Sequence, residues 1–334
     1  METVPLDLDN ESQCSAWDAF VLEHPDGTVF HSSLWARAIA AAYGATSLCM
    51  VFKDGETTVG VFPLFCVKDI RQRDTLVSIP YAPCGGILSS PAYAESILSD
   101  AGVSRSVPRK DSPTLRAYAA ACCTMVVSLP SEKDALWSRL PDKERNQIRK
   151  PQKEGLTVDI GRDLLDRFYP LYARRMHELG TPPHASTFFS SLQNSFGDCA
   201  EFVVAYYRTN PVAALFDVSW GNTRYNLYGA SDIRCRSLCA NDLAYWESLK
   251  RAVDQKKQRY DFGRSRRDSG QYRFKRKWGA QPAALRKYVW AFDKKSGTWN
   301  EQSLVPSSGP SKVWRRIPFP LATALGQCIR RFVF

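Results

Sequence analysis

The sequence predicts an α+β protein of two domains. Three observations carry this expectation. A chain of 334 residues with 44% hydrophobic and 12% aromatic content has more apolar material than one ordinary domain needs. A helix followed by an antiparallel meander occurs twice along it. Each meander ends in a short strand that runs into glycine.

Taken in order, His31 to Gly44 has helical spacing: Leu34, Ala38 and Ala41 share a face with Trp35 beside them, and Gly44 stands where a C-cap glycine belongs. Leu48 to Phe52 and Thr58 to Val67 are strand formers separated by the turn residues Lys53-Asp54-Gly55-Glu56, which predicts a hairpin. Leu76 to Tyr81 predicts a further strand ending near Cys84-Gly85-Gly86, and the polar stretch from Ser99 to Pro113 predicts a loop. Only Met125-Val126-Val127, after Cys122-Cys123, looks like a late strand in this half, so the first domain is expected to be short.

Leu136 to Gly155 is a basic helical stretch broken at Pro141 and Pro151, expected to link the halves and to lead into a strand at Leu156 to Ile160. In the second half Leu165, Phe168, Tyr172, Met176 and Leu179 keep helical spacing, and Pro170 is expected to kink or split that helix. Three strands are predicted over Glu201 to Arg208, Val212 to Trp220 and Arg224 to Tyr228, with turns at Asn210-Pro211 and Gly221-Asn222. A helix capped by Asn241 follows, with Leu243, Trp246, Leu249 and Val253 on its buried face. Arg259 to Phe262 then forms a short strand that ends at Gly263, where a positive φ is expected. Meander, helix, strand and glycine-ended loop in this order make an α+β fold of the GNAT (acyl-CoA N-acyltransferase) type. The expected boundaries are residues 1–135, a linker helix over 136–155, a second domain over 156–300 and a tail over 301–334.

A net charge of +11 points to a partner or substrate bearing negative charge, phosphate above all. Ten cysteines without a CxxC pair, and only four histidines, argue against a metal and suit a reducing compartment. The acidic, polar first residues do not form a secretory signal, and no run reaches the roughly 18 apolar residues of a membrane span, so a cytoplasmic location is expected.

The densest charge lies from Lys256 to Lys277, where ten Lys or Arg face only Asp261 and Asp268. Such a run is ordinarily a solvated face. Here it alternates with Phe262, Tyr272, Phe274, Trp278 and three glycines, the mixture of exposed backbone N–H groups and forked donors that binds phosphate. Arg145 and Arg149 lie four apart on one helix face, as do Asn146 and Lys150; they either clamp a diphosphate or form the outer side of a linker helix. His177 and His184 stand in no nucleophile-base pattern, and a structural or surface role is expected of both rather than that of a catalytic base. Asp261 either orients an amine or holds Arg264 in an ion pair.

The motifs Tyr260-Asp261-Phe262-Gly263-Arg264-Ser265, Tyr272-Arg273-Phe274-Lys275 and Lys277-Trp278-Gly279-Ala280 resemble the signature of FemAB-related proteins associated with the PEP-CTERM/exosortase system. Gly60 to Leu64, Ser78 to Tyr81, Arg145 to Lys150, Leu179 to Pro182 and Trp314 to Leu321 extend the resemblance in the same order. The resemblance implies tandem GNAT-like domains, the first shortened, and transfer of an acyl or aminoacyl group to an amine of a cell-envelope or exopolysaccharide precursor. It implies acyl-CoA or aminoacyl-tRNA as donor and a phosphorylated or lipid-linked glycan precursor as acceptor. It also implies Lys275 of the Phe274-Lys275 pair at the reaction centre, with Asp261 beside it. Arg145, Arg149, Lys150, Tyr228, Gly263, Arg264, Ser265, Phe274, Lys277 and Trp278 are the expected substrate-binding residues. An ammonium at Lys275 would stabilise the oxyanion of the attacked carbonyl, and as an exposed lysine it is expected to be required for transfer but not for folding; the other reading is a surface lysine in a basic run.

The [Q/R]xxGx[G/A] loop that binds the pyrophosphate of acetyl-CoA is begun at Gln152, Arg267 and Arg276 but completed at none of them, which favours a Fem-like donor site. A phosphate- or nucleic-acid-binding protein and an inactive scaffold of a polysaccharide-assembly system remain the alternatives. In the tail, Leu321, Leu325 and Ile329 fall at four-residue spacing near several arginines; this segment either packs back onto the protein or lies on an anionic membrane.

Overall fold

The computed structural model describes residues 1–93, 113–293, 298–302 and 312–333. The chain forms two compact units: Met1–Ala121 with Leu285–Ser307 and Arg331–Phe334, and Cys122–Ala284 with Ser308–Arg330. This division falls earlier than the expected one at residue 135. The basic helical stretch and the strand beginning at Cys122 belong to the second unit, and a late segment of chain returns to the first.

The first unit opens with β1 (Glu2–Pro5), α1 (Glu11–Glu23), α2 (Ser33–Tyr43) and β2 (Thr46–Ser47). Helix α2 starts at Ser32, whose hydroxyl accepts from Trp35 N, and stops at Gly44 with φ +63°. Its buried face is Trp35, Ala36, Ala38 and Ile39, so the expected face is rotated toward Ile39 and away from exposed Ala41. The hairpin is β3 (Met50–Asp54) and β4 (Thr57–Phe62). The expected long second strand breaks at Pro63, which has no N–H to donate, and resumes as β5 (Phe65–Lys68) in another sheet. Strand β6 (Asp74–Val77) ends sooner than expected because Ile79 and Tyr81 adopt positive φ of 130° and 60°. Strand β7 (Leu88–Ser89) follows. The expected loop from Ser99 lies outside the described residues, except for Pro113, which opens α3 (Pro113–Ala121).

The second unit contains β8 (Cys122–Ser128), α4 (Lys133–Ser138), α5 (Asp142–Lys153), β9 (Thr157–Gly161), α6 (Leu165–Glu178) and α7 (Ser186–Phe196). Beyond them come β10 (Ala200–Tyr207), β11 (Asn210–Trp220), β12 (Thr223–Ser231), α8 (Ala240–Asp254), β13 (Arg259–Arg266), α9 (Gly270–Arg276) and β14 (Gln281–Ala284). The strands form one sheet in the order β14-β8-β13-β12-β11-β10-β9, antiparallel except for β12 and β13. Two corrections concern helix signals. Pro170 lies inside a continuous α6, and α8 begins after Cys239 in the left-handed conformation, with Asn241 already in its first turn. Leu243, Trp246, Leu249 and Val253 of α8 are buried in one core with Val203, Leu215 and Phe262. Phe168 and Tyr172 of α6 meet Phe189, Phe202 and Phe216 in an aromatic cluster.

Strands β15 (Val289–Asp293) and β16 (Thr298–Glu301) return to the first unit and complete its sheet β16-β15-β6-β5-β2, beside the other sheet β1-β3-β4-β7. Helices α10 (Lys312–Arg316) and α11 (Phe319–Ile329) close the chain. Among the described residues, no helix is long and apolar enough to cross a membrane.

Candidate functional site

Strands β12 and β13 run parallel but pair only from Thr223 to Tyr225 against Arg259 to Asp261, although they continue to Ser231 and Arg266. Each strand carries a bulge just beyond the last pair. In β12 the register against β11 shifts between the Phe216–Tyr228 and Asp217–Asn226 pairs, leaving Leu227 as the extra residue. In β13, Phe262 and Gly263 together oppose Met125 of β8. A bulge bends its strand and increases its twist. The β12–β13 ladder stops at these two bulges, leaving backbone N–H and C=O groups of both strands outside it, although the strands still touch at the bulge, where a Cβ on Gly263 would lie 3.0 Å from Asn226 O.

The paired end is locked from below. The Arg224 guanidinium, fully buried, donates to Asp217 Oδ2 at 3.1 Å and to Glu201 Oε2 at 2.6 Å. Ser248 of α8 bridges Asp217 and the Tyr260 hydroxyl. Burial opposes ionisation of Glu201, but Arg251 and Arg224 hold its carboxyl below the usual range. Arg224 is the register partner of Tyr260, so this network joins β10, β11, β12, β13 and α8 at the paired end of the two strands.

At the open end, Gly263 adopts φ +75°, the expected positive value, although the strand continues past it. Asp261 accepts from Gly263 N at 2.7 Å and from the Thr124 hydroxyl of β8. Lys275, on α9, donates to Gly263 O at 2.9 Å and Arg264 O at 3.0 Å, two carbonyls beside the bulge. The side chain is only 7% exposed, which corrects the expectation of an exposed lysine. Burial lowers its pKa to about 8, with Asp261 pulling the other way. Burial likewise raises the Asp261 carboxyl, against its hydrogen bonds and the pull of Lys275. Ser265 is buried, its hydroxyl without a hydrogen-bond partner, while the Arg264 side chain is exposed. Asp261, Gly263, Arg264, Ser265 and Lys275 therefore form one group.

The remaining expected residues divide between two other places. Phe274 and Trp278 pack with Tyr245, at ring separations of 5.3 and 6.5 Å, so they support α9 from the core. Lys277 donates to Gln147 of α5 at 2.7 Å and pairs with Asp242 of α8, with its ammonium 4.4 Å from the Phe274 ring. Arg145 pairs with Asp142, Arg149 lies over the Trp137 ring at 5.2 Å, and Lys150 is exposed. Burial pushes the Cys239 thiol up, and Lys150 and Lys277 oppose this, so both ammonium groups act at the start of α8. Tyr228 instead joins the aromatic cluster, 5.3 Å from Phe189, with its hydroxyl 3.3 Å from His184 Nε2. His184 is fully buried and stacked on Phe188, and burial keeps it neutral; His177 bonds Ile317 O at 2.9 Å.

Several contributors went unread in the sequence. Thr124 and Gln147 carry no local signal. Asp217 and Arg224 do: two opposite charges flank a turn, and Asp217 sits in the otherwise apolar run Val212 to Val218, which marks a buried pair.

Residues 142–276 match the acetyltransferase (GNAT) domain family. The second unit therefore carries an acyltransferase domain, and the group around Lys275 lies inside the matched region. Thr124 lies outside it. No curated protein matches the chain significantly in sequence. Among solved structures, that of FemX is similar at a TM-score of 0.63 and 16% identity, covering 86% of this chain and 97% of FemX. A conserved protein of unknown function from Bacteroides thetaiotaomicron is similar at 0.52 and 14%, covering 87% of this chain and 99% of that one. These likenesses establish a shared mixed α+β fold over most of the chain.

Proposed function

We propose that the chain transfers an acyl or aminoacyl group to an amine, with the reaction at the end of the β12–β13 ladder. The observation that carries this is that the β12–β13 ladder stops at the two bulges. Beyond that point both strands have backbone groups outside the β12–β13 ladder, and a buried lysine is fixed beside the bulge. An amide-bearing donor arm laid there can pair with those groups as an added strand would. The acceptor amine attacks the donor carbonyl, and the negative charge gathers on its oxygen. Of the three donors on the Lys275 ammonium, two are held by Gly263 and Arg264, which leaves one for that oxygen. Collapse of the intermediate breaks the bond to the donor's sulfur or oxygen, which leaves with the proton lost by the amine.

The donor's phosphates are assigned to the exposed Lys150 of α5, since the sequence has no completed glycine loop to present backbone amides. An acyl-CoA and an aminoacyl-tRNA both meet this requirement. The acceptor class proposed is an amine on a cell-envelope or exopolysaccharide precursor, in keeping with the resemblance to FemAB-related proteins. The purified chain should be incubated with acyl-CoAs or aminoacyl-tRNAs and amino-sugar or peptide-bearing precursors, followed by mass spectrometry. We expect a mass increase of one acyl or aminoacyl group on the amine. Donor consumption only by hydrolysis, or no consumption by any pair, overturns the proposal.

A further inference from the structure

Helices α10 and α11 are seated through their smaller contacts. Trp314 and Ala322 are buried, and a Cβ added at Gly326 would lie 2.4 Å from Pro183 Cδ, so α11 meets the second unit at its glycine. Three aliphatic side chains turn outward: Val313 is 71% exposed, Leu321 53% and Leu325 40%. Cys328, at the next helical position, is exposed as well. Leu321, Leu325 and Cys328 follow the i, i+4, i+7 spacing of one helix face. A terminal helix that completed a core would turn its leucines inward. This one does the reverse, while Ile329, expected on the same face as Leu321 and Leu325, is half-buried.

The charges of this segment have one sign. Residues 312–330 carry Lys312, Arg315, Arg316 and Arg330 and no Asp or Glu, with Arg330 turned inward to donate to His184 Nε2 at 3.1 Å. Arg315 and Arg316 are exposed in the last turn of α10, and Arg174 of α6 lies over the Phe319 ring at 5.6 Å. The nearby acid on α6, Glu178, is already bound to Arg175 at 3.0 Å. Exposed leucines flanked by arginines match an interface of acyl chains beneath anionic headgroups. A second copy of this chain would set the same cations against each other.

We propose that the outward face of α10 and α11 docks the protein on an anionic lipid surface, with Leu321 and Leu325 entering the interface and Arg315 and Arg316 meeting the headgroups. This inference is independent of the transfer reaction. The test is co-sedimentation of the full chain with vesicles of phosphatidylcholine alone or mixed with phosphatidylglycerol, at low and high salt. Binding is expected only to the anionic vesicles and should weaken with salt. Arg315→Gln with Arg316→Gln should weaken it by about five-fold per arginine removed. Leu321→Gln with Leu325→Gln, at positions already exposed, should weaken it by about ten-fold or more with the melting temperature kept. Absence of binding by the wild type, equal binding to neutral vesicles, or undiminished binding by the leucine variant overturns the proposal. So does a wild-type dimer in sedimentation velocity that the leucine variant dissociates.

Discussion

Lys275 joins the stability of the site to its chemistry. Two backbone carbonyls and a near-complete loss of water surround an ammonium whose proton is released near pH 8, whereas the unfolded chain holds that proton to about 10.5. Below about pH 8 both states are charged, and the fold bears the whole cost of burying the charge. Between about 8 and 10.5 the unfolded chain binds more protons, so this group's contribution to stability rises with pH, by on the order of 3 kcal/mol in total. Lys275→Met removes that rise but leaves Gly263 O and Arg264 O without their donor, at a cost of about 1–3 kcal/mol at neutral pH. Chemical denaturation of both proteins from pH 7 to 10.5 checks this. The wild type should gain on the variant through that window, and parallel curves would show an unperturbed lysine. Transfer should follow the opposite course if the ammonium serves the oxyanion, falling as pH rises past about 8.

At the level of elements, the site depends on a contrast between a locked end and an unpaired end of the same two strands. Arg224 holds Asp217 and Glu201 where β12 and β13 pair, and the ladder stops at the bulges around Leu227 and Gly263. Replacing Arg224 by Leu leaves Asp217 without its cation and Glu201 with Arg251 alone, and breaking such a buried pair typically costs about 3–5 kcal/mol. Urea unfolding should therefore show a large drop in midpoint for Arg224→Leu, whereas Arg234→Leu, which breaks an exposed pair with Asp232, should change it by less than about 1 kcal/mol. Similar losses in the two variants would mean that the network does not hold the closed end. Helix α9 presents Lys275 from the other direction, fixed by Ser269 accepting from Tyr272 N at 3.1 Å and by Phe274 and Trp278 in the core.

Across the whole molecule, much of the fold was legible because its signals are local. Apolar spacing located α2, α6 and α8, and turn residues located the three-strand meander β10 to β12. The misplacements came from signals that depend on tertiary partners. Strand β8 follows the first half in sequence yet pairs with β13, so neither it nor the unit boundary could be placed from order along the chain. Pro170 was absorbed because α6 is held by its packed face, where Phe168 and Tyr172 stack. At the site, the motif around Gly263 gave the residue types, and the glycine's positive φ follows from its chemistry. Burial of Lys275 did not, because a basic run looks solvated until α9 turns one of its members onto the backbone of β13. Arg145 and Tyr228 were grouped with Lys275 by resemblance, whereas Arg145 pairs with Asp142 and Tyr228 with His184.

The placement of the reaction at the end of the β12–β13 ladder is tested most directly by amide hydrogen exchange over residues 227–231 and 263–266, measured with acetyl-CoA and separately with aminoacyl-tRNA. The backbone groups there lie outside the β12–β13 ladder, so a donor arm that pairs with them should slow their exchange. We predict slowing in both segments with the donor that supports transfer. A donor that transfers its group while leaving both segments exchanging as in the free protein would contradict the account.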